Sequence, residues 1–278
     1  GLGAFLLLRT GSYRAVERAL IGLVALMSVA FLATAVLVRP PLVPLLRGLF
    51  VPVVPDGAGM LYIAGLVGTT VVPYNLFLHA AAVREKWRGP EGLRAARADL
   101  TVSIVIGGIV SMAILATAAA ALGRVPGSDA GVRGAADMAA ALEPLLGRYA
   151  GVLFALGLFA AGMTSAITAP LAAAYATAGA LGWPRDLGDA RLRGVWMAVL
   201  AAGILFAALG ASPVPAILFA QVANGLLLPF IAVFLLLAVN DRRWMGDRVN
   251  GPVANTAGAV VVAVALMLGL RALWGALG

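Results

Sequence analysis

The stretch Gly68-Thr69-Thr70-Val71-Val72-Pro73-Tyr74-Asn75-Leu76-Phe77-Leu78-His79 sets a proline, an asparagine and the chain's one histidine inside residues 57–83, a run without Lys, Arg, Asp or Glu. Chemistry in such surroundings rests on neutral side chains and backbone carbonyls. Proline has no N–H and its ring obstructs the carbonyl four residues earlier, so Pro73 leaves carbonyls before it without helical partners. In hydrocarbon a freed carbonyl must find a neighbouring helix, a water or an ion. Two readings stay open: a packed proline kink, or a broken helix whose carbonyls from Thr69 to Val72 replace part of an ion's hydration shell.

The other neutral polar residues fall into three groups. His79 lies about 9 Å along a helix from Pro73 at about 1.5 Å per residue. Its imidazole could carry a proton, or simply donate one hydrogen bond to a neighbouring helix. Tyr74 accompanies it at depth, and Asn75 reads as a cap for freed backbone rather than as a ligand. Gln221 and Asn224 are three apart and share a helix face, where they either line the same cavity or join helices. Thr164, Ser165 and Thr168 precede Pro170 in a pattern that favours hydroxyl-to-carbonyl bonds bending a helix over ligation.

The elements that must hold these residues are membrane spans. Hydrophobic residues make up 62% of the 278-residue chain and charged ones 12%, with a mean hydropathy of +1.01, which excludes a water-soluble globular domain. Uncharged runs cover 19–38, 57–83, 100–123, 149–184, 194–240 and 249–270. The fifth is long enough for two spans divided around Gly210-Ala211-Ser212-Pro213-Val214-Pro215. The expectation is an all-α polytopic membrane protein of about seven complete helices, at 19–38, 57–83, 100–123, 149–182, 194–210, 215–239 and 251–274, in one integral domain over 1–278. The apolar opening Gly1 to Leu8 is too short to span, and the chain is expected to be the C-terminal part of a longer protein.

The net charge of +8 reports orientation. With the Arg9 to Arg18 loop in the cytoplasm, 14 of the 20 Lys and Arg residues fall on that side and 6 on the other, as the positive-inside rule requires. That bias accounts for the basic loops without nucleic acid or a specific lipid. The long loops 39–56 and 124–148 lie on the less basic side, and Ala135 to Glu143 reads as a short surface helix. No cysteine is present, so thiolate metal chemistry and disulfides are excluded. All twelve carboxylates lie in loops or at helix ends. An intramembrane enzyme working through metal-bridging aspartates or an aspartate pair lacks its functional groups here, and no cofactor is indicated.

Three motifs, taken together in order and spacing, resemble a known family. Val72-Pro73-Tyr74-Asn75-Leu76-Phe77-Leu78-His79 is similar to the Met-Pro-His-Asn-Leu-x-Leu-His signature in the sixth helix of the natural resistance-associated macrophage protein family of divalent metal transporters. The likeness continues through Ala160-Ala161-Gly162-Met163-Thr164-Ser165-Ala166-Ile167-Thr168-Ala169-Pro170, and through Leu228-Pro229-Phe230 followed by Asn240-Asp241-Arg242-Arg243-Trp244-Met245-Gly246. It covers nearly the whole chain, corresponding to the end of family helix four through helix eleven.

The resemblance implies a leucine-transporter-type inverted-repeat bundle, truncated at its N-terminus and working by alternating access. It implies uptake of a divalent metal, manganese, iron or magnesium, coupled to protons, by a multi-pass protein of a bacterial inner membrane. Carried over by position, Thr69 offers its backbone carbonyl to the ion, Val72 occupies the selectivity position and Gln221 approaches from the tenth helix. Tyr74, Asn75, His79 and Asn224 would line the proton or permeation path. Two departures stand out. The family's Asp-Pro-Gly-Asn motif of helix one, which supplies the ligating carboxylate, is not in this sequence, and Val72 and Tyr74 replace the family's methionine and first histidine. A thioether favours manganese and iron over magnesium and calcium, whereas valine cannot ligate. The rivals are an organic-solute transporter of the same fold, such as one for amino acids, and a membrane fragment without activity of its own.

Overall fold

The computed structural model describes residues 1–51, 63, 65–69, 72–87, 89–122, 135–210 and 213–277. Every regular element among them is helical: α1 Leu2–Arg9, α2 Tyr13–Val38, α3 Leu42–Phe50, α4 Pro73–Lys86, α5 Leu93–Leu122, α6 Ala135–Leu146, α7 Ala150–Leu181, α8 Ala190–Ala208, α9 Pro213–Asn240, α10 Arg242–Met245 and α11 Pro252–Leu277. Residues 65–69 are helical as well. Boundaries follow local chemistry. Ser12 caps α2 by accepting from the Ala15 N–H at 3.3 Å, and Asp189 caps α8 by accepting from Arg191 N–H at 2.8 Å, each satisfying a donor without an intrahelical partner. Gly182 ends α7 in the left-handed region, φ +67°, where a side chain would be strained.

Five helices among the described residues are long and apolar enough to cross a bilayer: Tyr13–Val38, Leu93–Ala121, Gly147–Leu181, Ala190–Ala208 and Pro215–Asn240. The 26 residues of α2 give about 39 Å at 1.5 Å per residue, more than the roughly 30 Å hydrocarbon core. Pro252–Met267 is a shorter apolar stretch of α11, and the expected span 57–83 lies partly outside the described residues. Large apolar side chains cover the surface, with Phe219 at 79% and Phe230 at 73% exposure, a pattern that hydrocarbon tolerates and water does not. The chain is a multi-pass integral membrane protein.

It divides into two compact units, one of residues 1–52 and 77–210, the other of 53–76 and 211–278. In the first, α1, α2, α7 and α8 enclose a core of Leu8, Val16, Ile167, Leu171, Leu192 and Trp196. The Trp196 ring meets Phe5 edge-on at 5.7 Å, a favoured aromatic geometry. Gly157 lets the Phe31 ring press on α7, for a Cβ there would lie 2.8 Å from Phe31 Cζ. At the basic end, Lys86 Nζ reaches Glu17 and Asp99, each at 3.7 Å. The expected surface helix appears as α6, packed on α7 through Leu142, Leu146 and Ala150.

In the second unit α9 packs along α11. Small residues set the approach: a Cβ on Gly258 would lie 2.7 Å from Leu236 Cδ1, and one on Gly269 3.3 Å from Pro229 Cγ, the close packing through glycine typical of lipid-embedded helices. Asn240 and Asn255 exchange two side-chain hydrogen bonds at 2.8 Å. Each amide supplies the donor and the acceptor that the other needs.

Candidate functional site

Pro73 does not kink a continuous helix. Residues 65–69 are helical, Val72 is not, and α4 starts at Pro73 itself. Proline suits the first position of a helix because its missing N–H would have no partner there and its φ is already helical. The Asn75 N–H donates to the Val72 carbonyl at 3.0 Å, closing the first turn. A carbonyl has two lone pairs, so that of Val72 retains acceptor capacity. The Thr69 carbonyl cannot receive the N–H four residues on, because residue 73 has none.

What lies against this break is decided by Gly68. A Cβ built there would collide with the Gln221 carbonyl oxygen and lie 2.7 Å from the Gly225 nitrogen. Only glycine admits that contact between backbones. One turn earlier, a Cβ built on Gly65 would lie 4.0 Å from Val222 Cγ2. The helical residues 65–69 are therefore seated, through Gly68, on the turn of α9 that spans Gln221 to Gly225. On this turn the Asn224 Nδ2 donates to Gln221 Oε1 at 3.0 Å, both side chains half-buried. The mid-helix position of two amides fits an environment in which each must be partnered.

The second unit thus brings together Thr69, Val72, Asn75, Gln221 and Asn224. Val72 is buried at 5% exposure, while Thr69 and Asn75 are exposed. The Asn75 side chain makes no hydrogen bond with a described residue, so its part in the break is played by its backbone N–H. Tyr74 is the second residue of α4, and its side chain lies outside the described residues, as do Thr70 and Val71 altogether. His79 falls in the first unit, exposed on α4. The Thr164 hydroxyl donates to the Ala161 carbonyl at 2.8 Å, the self-contained bond that disfavours a ligand role.

Chemically, the arrangement offers uncharged oxygens: carbonyls at a helix break and, on the helix whose backbone Gly68 meets, the Gln221 amide oxygen. No Lys, Arg, Asp or Glu occurs in 65–76 or 213–240. Among the described residues no group of three or more His, Cys, Asp or Glu could hold a metal, and the oxygens that these residues themselves offer a cation are hard and neutral. Gly65 and Gly68 are the residues that the motif reading passed over. Their signal was small residues in an apolar helix, but with 34 glycines in the chain nothing local marks these two.

The whole length of the chain agrees with this geometry. Residues 1–275 match the family described as natural resistance-associated macrophage protein-like. The "divalent metal cation transporter MntH" of Klebsiella pneumoniae (strain 342) is 30% identical over 276 residues, covering 96% of this chain and 64% of that protein. The protein of the same name from Bradyrhizobium diazoefficiens is 34% identical over 290 residues, covering 98% of this chain and 63% of its own length. The chain therefore spans a little under two thirds of these relatives. A family match running over residues 1–275, from the first helix to the last, assigns the chain to the natural resistance-associated macrophage protein-like family.

Proposed function

We propose that the protein is a secondary active transporter of divalent metal cations, not an enzyme. The observation that carries the reading is the helix break at Pro73 seated by Gly68 against Gln221, on a chain of this family. The name printed for the relatives, divalent metal cation transporter, agrees with it. The ion sits at the break. Carbonyl oxygens of Thr69 and Val72 and the Gln221 amide oxygen replace part of its water shell at membrane depth, where few other groups could repay dehydration. The carboxylate of a helix-one Asp-Pro-Gly-Asn motif, which this sequence does not contain, would complete the set and supply the negative charge. The cargo is manganese, iron or magnesium, and Val72, without a sulfur, leaves the set hard.

Transport proceeds by alternating access within a leucine-transporter-type inverted-repeat fold, in the inner membrane of a bacterial cell, with inward metal movement coupled to protons. His79 and Tyr74, on α4 beyond the break, belong to the proton or exit route, together with Asn224. The test is uptake into proteoliposomes containing the intact protein, with labelled Mn²⁺, Mg²⁺ and amino acids compared with and without an inward proton gradient. Metal uptake that rises with the gradient is the expected result. Uptake of amino acids without metal would replace the reading with an organic-solute transporter.

A further inference from the structure

Resting on the metal reading above, the α9 turn shows more than a ligand. Glutamine is among the side chains with the most rotamer freedom to lose when fixed, and its amide can present either oxygen or NH2 to a site. Gln221 is not free to do both equally. Its Oε1 accepts the Asn224 Nδ2 hydrogen at 3.0 Å, from three residues along the same face. The backbone of the same turn is pinned independently, since Gly68 abuts the Gln221 carbonyl and the Gly225 nitrogen. Backbone and side chain of residue 221 are thus both held, by different neighbours, next to the break at Val72. We infer that Asn224 is a positioning residue: it holds the Gln221 amide in one rotamer with one lone pair of Oε1 taken, leaving the other for the cation, and so raises affinity by preorganisation without adding a ligand.

This account differs from the simpler role of Asn224 as a wall of the path, because it routes the whole effect through Gln221. A double-mutant cycle reads that route directly. Mn²⁺ binding to the intact purified protein, measured calorimetrically, should weaken about fivefold in Asn224→Ala, the size of one lost hydrogen bond. It should weaken about tenfold or more in Gln221→Ala, as for a lost ligand. The double variant should bind no more weakly than Gln221→Ala alone. An equal drop on adding Asn224→Ala to the Gln221→Ala background would overturn the proposal, since Asn224 would then touch the ion or support the fold by itself. Asn224→Leu, similar in size and lacking the donor, carries the same cycle if the alanine variant does not fold. Absence of Mn²⁺ binding by the unaltered protein would remove the metal reading and this inference with it, an outcome distinct from additivity.

Discussion

The two units treat polar groups in opposite ways. In the first, carboxylates stand at helix ends and work as caps and ion-pair partners: Asp189 receives the first N–H groups of α8, and Glu17 and Asp99 meet Lys86. Its interior is apolar and closes on Trp196, at 1% exposure. In the second, a pair of amides sits in mid-helix, where Asn224 bonds Gln221, and another joins two helix ends, where Asn240 bonds Asn255. Glycine contacts take the place that large side chains hold in the first unit. The contrast separates a part built for cohesion from a part whose mid-helix polarity, at Gln221 and Asn224, is partnered without charge.

Breaking each part should therefore give different phenotypes. The largest loss of stability is expected from Trp196→Ala, about 3–5 kcal/mol from a large buried ring removed, read as a fall in Tm with Mn²⁺ affinity retained. Trp196→Phe should cost much less, because it keeps the ring facing Phe5 and removes an indole N–H that has no acceptor among the described residues. A loss of metal binding in Trp196→Ala at temperatures where it stays folded would erase the distinction between the units.

Next comes Gly68→Ala. Its added methyl meets backbone atoms of α9, not a side chain able to swing aside, so the helix must shift at about 1–3 kcal/mol. Here transport should fall much further than Tm. Retained Mn²⁺ uptake would show that the seat of the break on Gln221 does not matter. Val72→Met, which restores a soft sulfur where the family motif has one, should raise manganese uptake relative to magnesium about tenfold; proteoliposome competition between the two ions measures it, and a parallel change in both would count against Val72 as the selectivity position. Smallest is the Asn240 and Asn255 pair, where a cycle of alanine variants should give a coupling near 0.6 kcal/mol, the usual scale for such bonds in membranes, without altering ion preference.

Much of this was legible in the residues. The helix at Ala135 and the use of Thr164 to bond its own helix both arise from neighbours within four positions, and local spacing is what a sequence displays. Pro73 was legible only as a disturbance. A kinked and a broken helix have the same composition, and what distinguishes them is whether the chain before the proline stays helical through Val72, which depends on what is available to accept or cover the backbone there. The pairing of Asn224 with Gln221 was half legible: three-residue spacing put them on one face, but not in each other's hydrogen-bonding reach.

The sequence by itself determined the membrane class, the orientation bias of its arginines and the family, because hydropathy, charge and motif spacing are properties of the chain as written. Tertiary structure alone decided that Pro73 begins a helix, that Gly68 is the glycine on which a backbone rests, and that this backbone is the turn of Gln221. Those depend on contacts between residues some 150 positions apart. Such a contact leaves no periodic mark, since a glycine against a backbone and a glycine facing lipid are written with the same letter.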